Sequence, residues 1–269
     1  MFKKKDIQSM QSSSSISTRA KVGWSGRIKC LIGTLQSQRG RNEKKSVMEI
    51  FSKNQKIDVE ALKSRLLARK ITQPRFKWEM TQEQATDILL AAYQAEVEFR
   101  HRAFVPDERT KENCRKLAAF LTADNSKFGV MLCGICGNGK TTMLYAFRSA
   151  MNLLSDCRIF GDERKGIRVI DAKEIAAYAK EPRAFHEIRS TPMLGIEDMG
   201  REATEVIDFG NVLNPVIDLL EYRYNQQLFT FITTNLKADE VRKKYGDRIA
   251  DRFNEMLEVI IFGNTTYRK

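Results

Sequence analysis

A glycine-rich loop between an apolar run and a helical pattern constrains this chain more than any other feature. The segment KFGVMLCGICGNGKTT occupies residues 127–142. Its apolar run, Phe128 to Cys133, predicts a buried strand, and helical periodicity follows from Thr141 to Leu154. The spacing Gly-x4-Gly-Lys-Thr between a strand and a helix is that of the P-loop, which binds phosphates through backbone N–H groups and a helix N-terminus. The chain is therefore predicted to bind a nucleotide.

The loop supplies a phosphate cradle, a lysine and a hydroxyl group. Lys140 is predicted to contact the β and γ phosphates of ATP, and the Thr141 hydroxyl is predicted to ligate Mg²⁺. The predicted nucleotide-binding residues of the loop are Gly134, Ile135, Cys136, Gly137, Asn138, Gly139, Lys140, Thr141 and Thr142. ATP and Mg²⁺ are the expected cofactors.

Two adjacent carboxylates close a second apolar run, PMLGIEDMG at Pro192 to Gly200. Such a pair at a strand end places one acid toward Mg²⁺ and the next toward the γ phosphate, where it orients the attacking water. We predict Glu197 as the Mg²⁺ ligand and Asp198 as the base. Leu228 to Thr234 is a further predicted strand, which delivers Asn235 to the same sheet edge. The alternation of strands and helices predicts an α/β fold with a five-stranded parallel sheet flanked by helices.

The positive charge of the chain is concentrated at its N-terminus. The formal net charge is +12 over 269 residues, but residues 1–47 hold 11 Lys/Arg against 2 Asp/Glu, which leaves the remainder nearly neutral. The total charge is therefore no argument for DNA binding. This Ser-, Lys- and Arg-rich extension predicts disorder. It also resembles a transit peptide or a DNA-binding arm, and a translation start at Met48 is the alternative that we favour.

Composition excludes several classes of protein. A hydrophobic content of 42% predicts a real core, and no apolar run approaches the roughly 18 residues of a membrane span, so a soluble protein without a membrane partner is expected. The odd count of five cysteines and the lack of a secretory signal indicate the cytoplasm. Cys133 and Cys136 form a CxxC, but no second CxxC or paired histidine completes a zinc site. We interpret them as small residues near the phosphate loop.

Three regions are predicted: a basic extension (1–47), a helical partner-binding segment (48–105) and an ATPase domain (106–269). In the helical segment, Asp58 is the predicted N-cap of a first helix. Thr81 begins a second helix with a capping-box-like start. This pair of helices is too small to bury much core by itself, so it is expected to pack on the ATPase domain or on a partner.

Three further stretches of the ATPase domain have expected local structures. Pro182 to Thr191 is expected to be a connection. Asn211 to Gln227 is expected to be one helix with Pro215 near its first turn. Val241 to Met256 is expected to be one helix that carries Arg248 and Arg252 on one face.

The last third of the chain resembles one group of AAA+ ATPases. PVIDLLEYRYNQQLFTFITTNL, YGDRIADRF and TTYRK are similar to segments of the DnaC-type and IstB-type helicase-loader and transposition-helper ATPases, and the match covers roughly residues 111–269. The resemblance implies an AAA+ fold without a C-terminal lid domain. It also implies that Asn235 is the first sensor, Arg252 the arginine finger offered to a neighbouring subunit, and Arg268 the second sensor that binds the nucleotide. Arg248 is a weaker finger candidate.

The resemblance implies an ATP-dependent loader of a replicative DNA helicase, which acts as a homo-oligomer on single-stranded DNA. Arg201, Arg223 and Tyr224 are the candidates for DNA contacts. The family more often has Asp at the first acidic position, so the order Glu197 then Asp198 implies slow hydrolysis. The alternatives are a transposition helper that binds duplex DNA and a transposase, an adaptor that binds ATP without turnover, and, more remotely, a nucleoside kinase.

Overall fold

The computed structural model describes residues 58–69, 75–105, 107–161, 165–203, 205–208, 211–263 and 266–267. Predictions for the basic extension, for Pro106 and for Arg268 lie outside these residues. The chain divides into two compact units between Thr72 and Gln73. No helix among the described residues is long and apolar enough to cross a lipid bilayer.

The described part of the first unit is one helix, α1, Val59–Arg69. It begins where the sequence predicts, because the Asp58 carboxylate accepts a hydrogen bond from the Ala61 N–H at 3.0 Å. That bond satisfies one of the N–H groups that have no partner within the helix.

Strands of the second unit form one large sheet and one hairpin. They are, in chain order, β1 Gly129–Gly134, β2 Arg168–Asp171, β3 Met193–Met199, β4 Val206–Asp208, β5 Asn211–Leu213, β6 Phe229–Thr234 and β7 Leu257–Phe262. The large sheet has the order β2-β3-β6-β1-β7, and every neighbouring pair in it is parallel. The antiparallel hairpin is β4-β5. The predicted five-stranded parallel sheet is confirmed.

Helices flank the sheet. They are, in chain order, α2 Gln82–Phe99, α3 Glu108–Thr122, α4 Lys140–Asp156, α5 Ile175–Ala179, α6 Pro182–Ser190, α7 Pro215–Gln226, α8 Ala238–Tyr245 and α9 Asp247–Met256, with a 3-10 turn, Ala172–Glu174, before α5. The core has two clusters of buried side chains. One joins α2, α3 and α4 to the sheet, and the other joins α7, α8 and α9 to it.

Helix α2 belongs to the core of the second unit. It begins with the predicted capping box at Thr81, and Leu89 and Tyr93 on its buried face pack against α3 and α4. Just before it, Trp78 is fully buried and stacks on Phe147 of α4 with ring centroids 6.0 Å apart. The compact unit thus begins at Gln73, and the boundary at 105–106 stays a prediction from the sequence.

Three local predictions were wrong. The expected connection Pro182 to Thr191 is helix α6, because Pro182 occupies the first helical turn, where a missing N–H costs nothing. The expected helix Asn211 to Gln227 starts only at Pro215, since its first three residues pair as strand β5. The expected helix Val241 to Met256 is two helices, divided at Gly246 with a φ of 87°.

Candidate functional site

The loop between β1 and α4 has a backbone that its glycines make possible. Gly139 caps α4 with a φ of 95°, and a Cβ at this position would lie 2.2 Å from the Tyr93 hydroxyl oxygen. Both the left-handed backbone and the close approach of α2 therefore require glycine. Because α4 begins at Lys140, the first N–H groups of that helix face the loop. The loop has the strand-to-helix setting of a phosphate cradle.

Lys140 is buried at the centre of the site, with 4% of its surface exposed. Its ammonium group donates to the carbonyl oxygens of Gly134 and Ile135, both at 2.8 Å. It also contacts the amide oxygens of Asn138 at 3.0 Å and Asn235 at 2.9 Å. These four acceptors hold a full positive charge beside the loop, where phosphate oxygens would be stronger partners.

The ends of β3 and β6 are tied together by side-chain hydrogen bonds. The Asp198 N–H donates to the Thr233 hydroxyl at 2.9 Å, and the Thr234 hydroxyl donates to the Met199 carbonyl at 2.6 Å. The ladder between the strands shifts register between Ile196 and Met199, and Asp198 has a left-handed φ of 53°. This irregularity brings the acidic pair to the sheet edge that also carries Asn235.

The two carboxylates have different partners. Glu197 accepts a hydrogen bond from the Tyr145 hydroxyl at 2.9 Å, and burial first, then this bond, raises the pKa of Tyr145 to about 12. Asp198 accepts from the Arg201 guanidinium at 2.6 Å. Arg201 is exposed, and its contact with Asp198 raises its pKa. The two acids are thus oriented toward different neighbours.

The oxygen groups at this edge suit Mg²⁺. Thr141 is the second residue of α4, next to Lys140, and Glu197 lies near the end of β3. Hydroxyl and carboxylate oxygens are the ligands that this hard cation takes, and in nucleotide sites one or two of them act together with phosphate oxygens and water. Thr141 and Glu197 therefore fit the predicted metal, and their assignment as its ligands stays a prediction.

A buried carboxylate fixes the loop that follows the acidic pair. Glu202 accepts from the Gly200 N–H at 2.8 Å and from the hydroxyl of Tyr245. Lys244 lies 3.4 Å from the same carboxylate and donates to the carbonyls of Gly200 and Glu202 at 2.6 and 2.7 Å. Burial, followed by the bond to Glu202, raises the pKa of Tyr245. Helix α8 thus anchors the loop that carries Arg201.

Replacing Glu202 with alanine should lower the free energy of unfolding by about 3 kcal/mol, because buried donors lose their acceptor. Urea denaturation followed by circular dichroism measures the change. Glu205 lies in the same loop and is exposed, so Glu205→Ala is the matched control and should leave the unfolding curve in place. Equal curves for the two variants would show that the Glu202 contacts add no stability.

A cavity of about 990 Å³ opens beside the loop, and it includes residues that the sequence reasoning missed. The loop, the acidic pair and Asn235 form one side. The other side comes from α2 and the segment after it, and its lining includes Tyr93, Val97, Arg100, Phe104 and Val105. Such a mixture of apolar walls and a few charged groups is typical of sites for small molecules and cofactors. The apolar run at residues 103–105, which has no helical or strand period, was the available sequence signal.

Tyr267 connects the C-terminal tail to the loop and to α3. Its N–H donates to the Gly137 carbonyl at 2.9 Å, and its hydroxyl donates to Asp107 at 2.6 Å and lies 3.0 Å from the Thr110 hydroxyl. Burial tends to raise the pKa of Asp107, but the hydrogen bonds from Tyr267 and Thr110 outweigh it, so this pKa lies below its usual value. The tail that precedes Arg268 is thereby fixed beside the cavity.

The predicted finger arginines lie on α9 and are absent from the described lining of the cavity. Arg252 is mostly buried, with 13% of its side chain exposed, and its Nη1 lies 2.8 Å from Glu221. That atom has no hydrogen-bond partner among the described residues, so its contact with Glu221 is an ion pair without a hydrogen bond. Arg248 also contacts Glu221, at 3.1 Å, but it is 72% exposed. The guanidinium of Arg248 is therefore more exposed than that of Arg252.

Two of the candidates for DNA contacts are engaged by other residues of this chain. Arg223 is fully buried and donates to the Phe229 and Thr191 carbonyls at 2.5 and 2.7 Å, and burial lowers its pKa to about 9. Its assignment to DNA was therefore wrong. Tyr224 donates to Glu255 at 2.5 Å and lies under the Arg252 guanidinium. Only Arg201 of the three candidates is exposed.

The two cysteines of the CxxC lie in different environments. Cys136 is exposed and lines the cavity. Cys133 is half-buried in β1, and burial, partly offset by the charge of Lys140, raises the pKa of its thiol to about 11. A high thiol pKa disfavours the thiolate that binds metals. The described residues hold no cluster of three or more metal-binding side chains.

The five-stranded parallel sheet and the glycine-rich loop between β1 and α4 together define a P-loop fold. No protein-family model matches the chain, and no curated protein matches it. Solved structures that resemble it include the DnaC helicase loader, with 19% identity and a TM-score of 0.46 over 64% of this chain and 98% of that one. DnaI has 20% identity and a TM-score of 0.46 over 71% and 95%. AMPPCP-bound DnaA from Aquifex aeolicus has 18% identity and a TM-score of 0.39 over 58% and 48%.

DnaC, a type that the sequence resembles, is among these structures. The likeness is one of fold. What this chain binds and does is therefore argued from its own residues.

Proposed function

We propose that this protein is an ATP-dependent loader of a replicative DNA helicase, which binds and hydrolyses ATP at subunit interfaces and acts on single-stranded DNA in the cytoplasm. The observation that carries the proposal is the meeting of Lys140, the pair Glu197 and Asp198, and Asn235 at one cavity. The helicase and the single-stranded DNA are proposed as partners because motifs in the last third of the chain resemble those of helicase loaders.

The roles follow from the chemistry of the side chains. Lys140 would exchange its present acceptors for the β and γ phosphate oxygens. Asp198 would orient the attacking water, and Asn235, already hydrogen-bonded to Lys140, would contact the γ phosphate. Mg²⁺, held by Thr141 and Glu197, would neutralise the charge on the phosphates when it is bound.

Assembly as a homo-oligomer is supported by the position of α9. Arg248 and Arg252 lie on one face of this helix, outside the described lining of the cavity, so an arginine finger from α9 would act on the ATP of a neighbouring subunit. The fixed charge of arginine suits that task. Arg252 would have to leave Glu221, whereas Arg248 is already exposed.

Slow basal hydrolysis is supported by the contact between Asp198 and Arg201. Oδ2 of Asp198 is occupied by the guanidinium, so only Oδ1 of this carboxylate can orient water while the ion pair lasts. An exposed ion pair of this kind is weak. A DNA phosphate that binds Arg201 would free the carboxylate, which gives single-stranded DNA a route to stimulate turnover.

The test is steady-state ATP hydrolysis by the full chain, with and without single-stranded DNA, at one moderate ionic strength because nucleic-acid affinity depends on salt. We expect a several-fold increase with single strands and a smaller one with a duplex of the same sequence. Lys140→Ala should be inactive in every condition, which controls for contaminating ATPases. A larger increase with duplex would favour the transposition helper, and ATP binding without turnover would favour the adaptor.

A further inference from the structure

A tyrosine on the P-loop helix holds one oxygen of the predicted Mg²⁺ ligand. The Tyr145 hydroxyl donates to Oε2 of Glu197 at 2.9 Å, which links α4 to the end of β3. Two guanidinium groups, one from α4 and one from the residue that follows α2, lie over the tyrosine ring. The Arg148 Cζ lies 4.5 Å from the ring centroid, and the Arg100 Cζ lies 5.8 Å from it. Such contacts hold the ring in place and so direct its hydroxyl.

Tyr145 lies on the same face of α4 as Thr141. The two residues are four apart in one helix, so their Cβ atoms are about 6 Å apart on one side of it. Glu197 contacts this face through Tyr145. The hydroxyl predicted to ligate Mg²⁺ and the hydroxyl that holds Glu197 are thus neighbours along one helix face.

The length of the Glu197 side chain matters for this contact. Aspartate, which is commoner at this position in the family that the sequence resembles, is shorter by one methylene, or about 1.5 Å. From the same backbone position it would not reach the Tyr145 hydroxyl. The phenol therefore suits the glutamate that this chain has, and it occupies only one of the two carboxylate oxygens.

We infer that Tyr145 is a positioning residue for Glu197, which binds Oε2 and directs Oε1 to the nucleotide-bound Mg²⁺. This inference rests on the proposed function. Partners that hydrogen-bond a metal-ligating carboxylate fix its orientation, and their removal typically lowers metal affinity 10- to 100-fold. Tyr145 would thus compensate for the extra rotatable bond that glutamate brings to this position.

The experiment compares the full chain with Tyr145→Phe in binding of AMPPCP, a non-hydrolysable ATP analogue, during a MgCl₂ titration. The half-saturating Mg²⁺ concentration should rise about 10-fold, while the affinity measured in EDTA stays unchanged. Tyr178→Phe is the matched control. Its ring also lies under a guanidinium, that of Arg168 at 5.9 Å, and the described residues provide its hydroxyl with no hydrogen bond. Its Mg²⁺ dependence should equal that of the unchanged protein.

A double substitution separates positioning from general support of the fold. In a Glu197→Asp background, Tyr145→Phe should add no further shift, because the shorter acid does not reach the hydroxyl. An equal further shift, or an unchanged Mg²⁺ dependence in the single variant, would overturn the inference, as would weaker binding in EDTA. If the unchanged chain binds no AMPPCP at any Mg²⁺ concentration, the proposed function fails and the inference fails with it.

Discussion

Lys140→Ala is expected to lower the affinity for ATP by at least about 100-fold. A hydrogen bond to a charged group contributes about 1.5 to 3 kcal/mol, and the loss of two such bonds to phosphate oxygens corresponds to this factor. The ammonium group is already desolvated and aimed at the loop, with 4% of the residue exposed, so it needs little reorganisation to meet a phosphate. Isothermal titration calorimetry with ATP measures the effect.

The control for this variant is another lysine of the same unit. Lys243 lies on α8 and is exposed, so Lys243→Ala should bind ATP as the unchanged protein does. Circular dichroism should show that both variants are folded, because Asn138 and Asn235, two of the four acceptors of Lys140, line the cavity, where water can replace the ammonium group. Full ATP affinity in folded Lys140→Ala would contradict the assignment of the loop.

Asp198→Asn is expected to lower ATP turnover by about 100- to 1,000-fold while leaving ATP affinity unchanged, as is typical when a general base is lost. Asparagine is the informative substitution because residue 198 has a φ of 53°. Asn tolerates this left-handed conformation, whereas Ala would add strain of about 1 to 2 kcal/mol. The amide also retains an acceptor for Arg201. Single-turnover hydrolysis and equilibrium binding separate the two effects.

Asp156→Asn is the matched control for the base. This residue is exposed at the end of α4, so the same loss of one negative charge should leave turnover unaffected. Unchanged turnover in Asp198→Asn would mean that another group orients the water. Glu197 would then be the next residue to replace.

The sheet and the loop were predictable because their signals are local. An apolar run, a glycine-rich turn and a helical pattern occur together at residues 127–154, and each is set by neighbours in the chain. The capping box at Thr81 was predictable for the same reason. The helix α6 and the break at Gly246 were not. Whether a short amphipathic segment becomes a helix depends on its packing, and whether a single glycine ends a helix depends on its backbone angles.

The residues of the candidate site also differ in how well the sequence predicts them. The nucleotide loop, the acidic pair and Asn235 could be named because their residue types follow predicted strands, and parallel strands bring their carboxyl ends to one edge. Tyr93, Phe104 and Tyr267 could not, because they reach the cavity from a helix, a linker and a tail that are far apart in sequence. The sequence also left open whether α2 packs on the rest of the chain or on a partner. The burial of Trp78 and Leu89 in one cluster with α3 and α4 shows that α2 packs within the second unit.

The sequence by itself determined the class of fold and the glycine-rich loop between β1 and α4, since both depend on patterns within a few turns of chain. Only the tertiary structure decided which polar side chains line the cavity and which are engaged elsewhere. In that structure Arg223 is buried against backbone carbonyls, Arg248 is exposed, and the Tyr145 hydroxyl contacts Glu197. The physical reason is that burial and hydrogen-bond partners are properties of three-dimensional neighbours, and a residue type alone does not specify them.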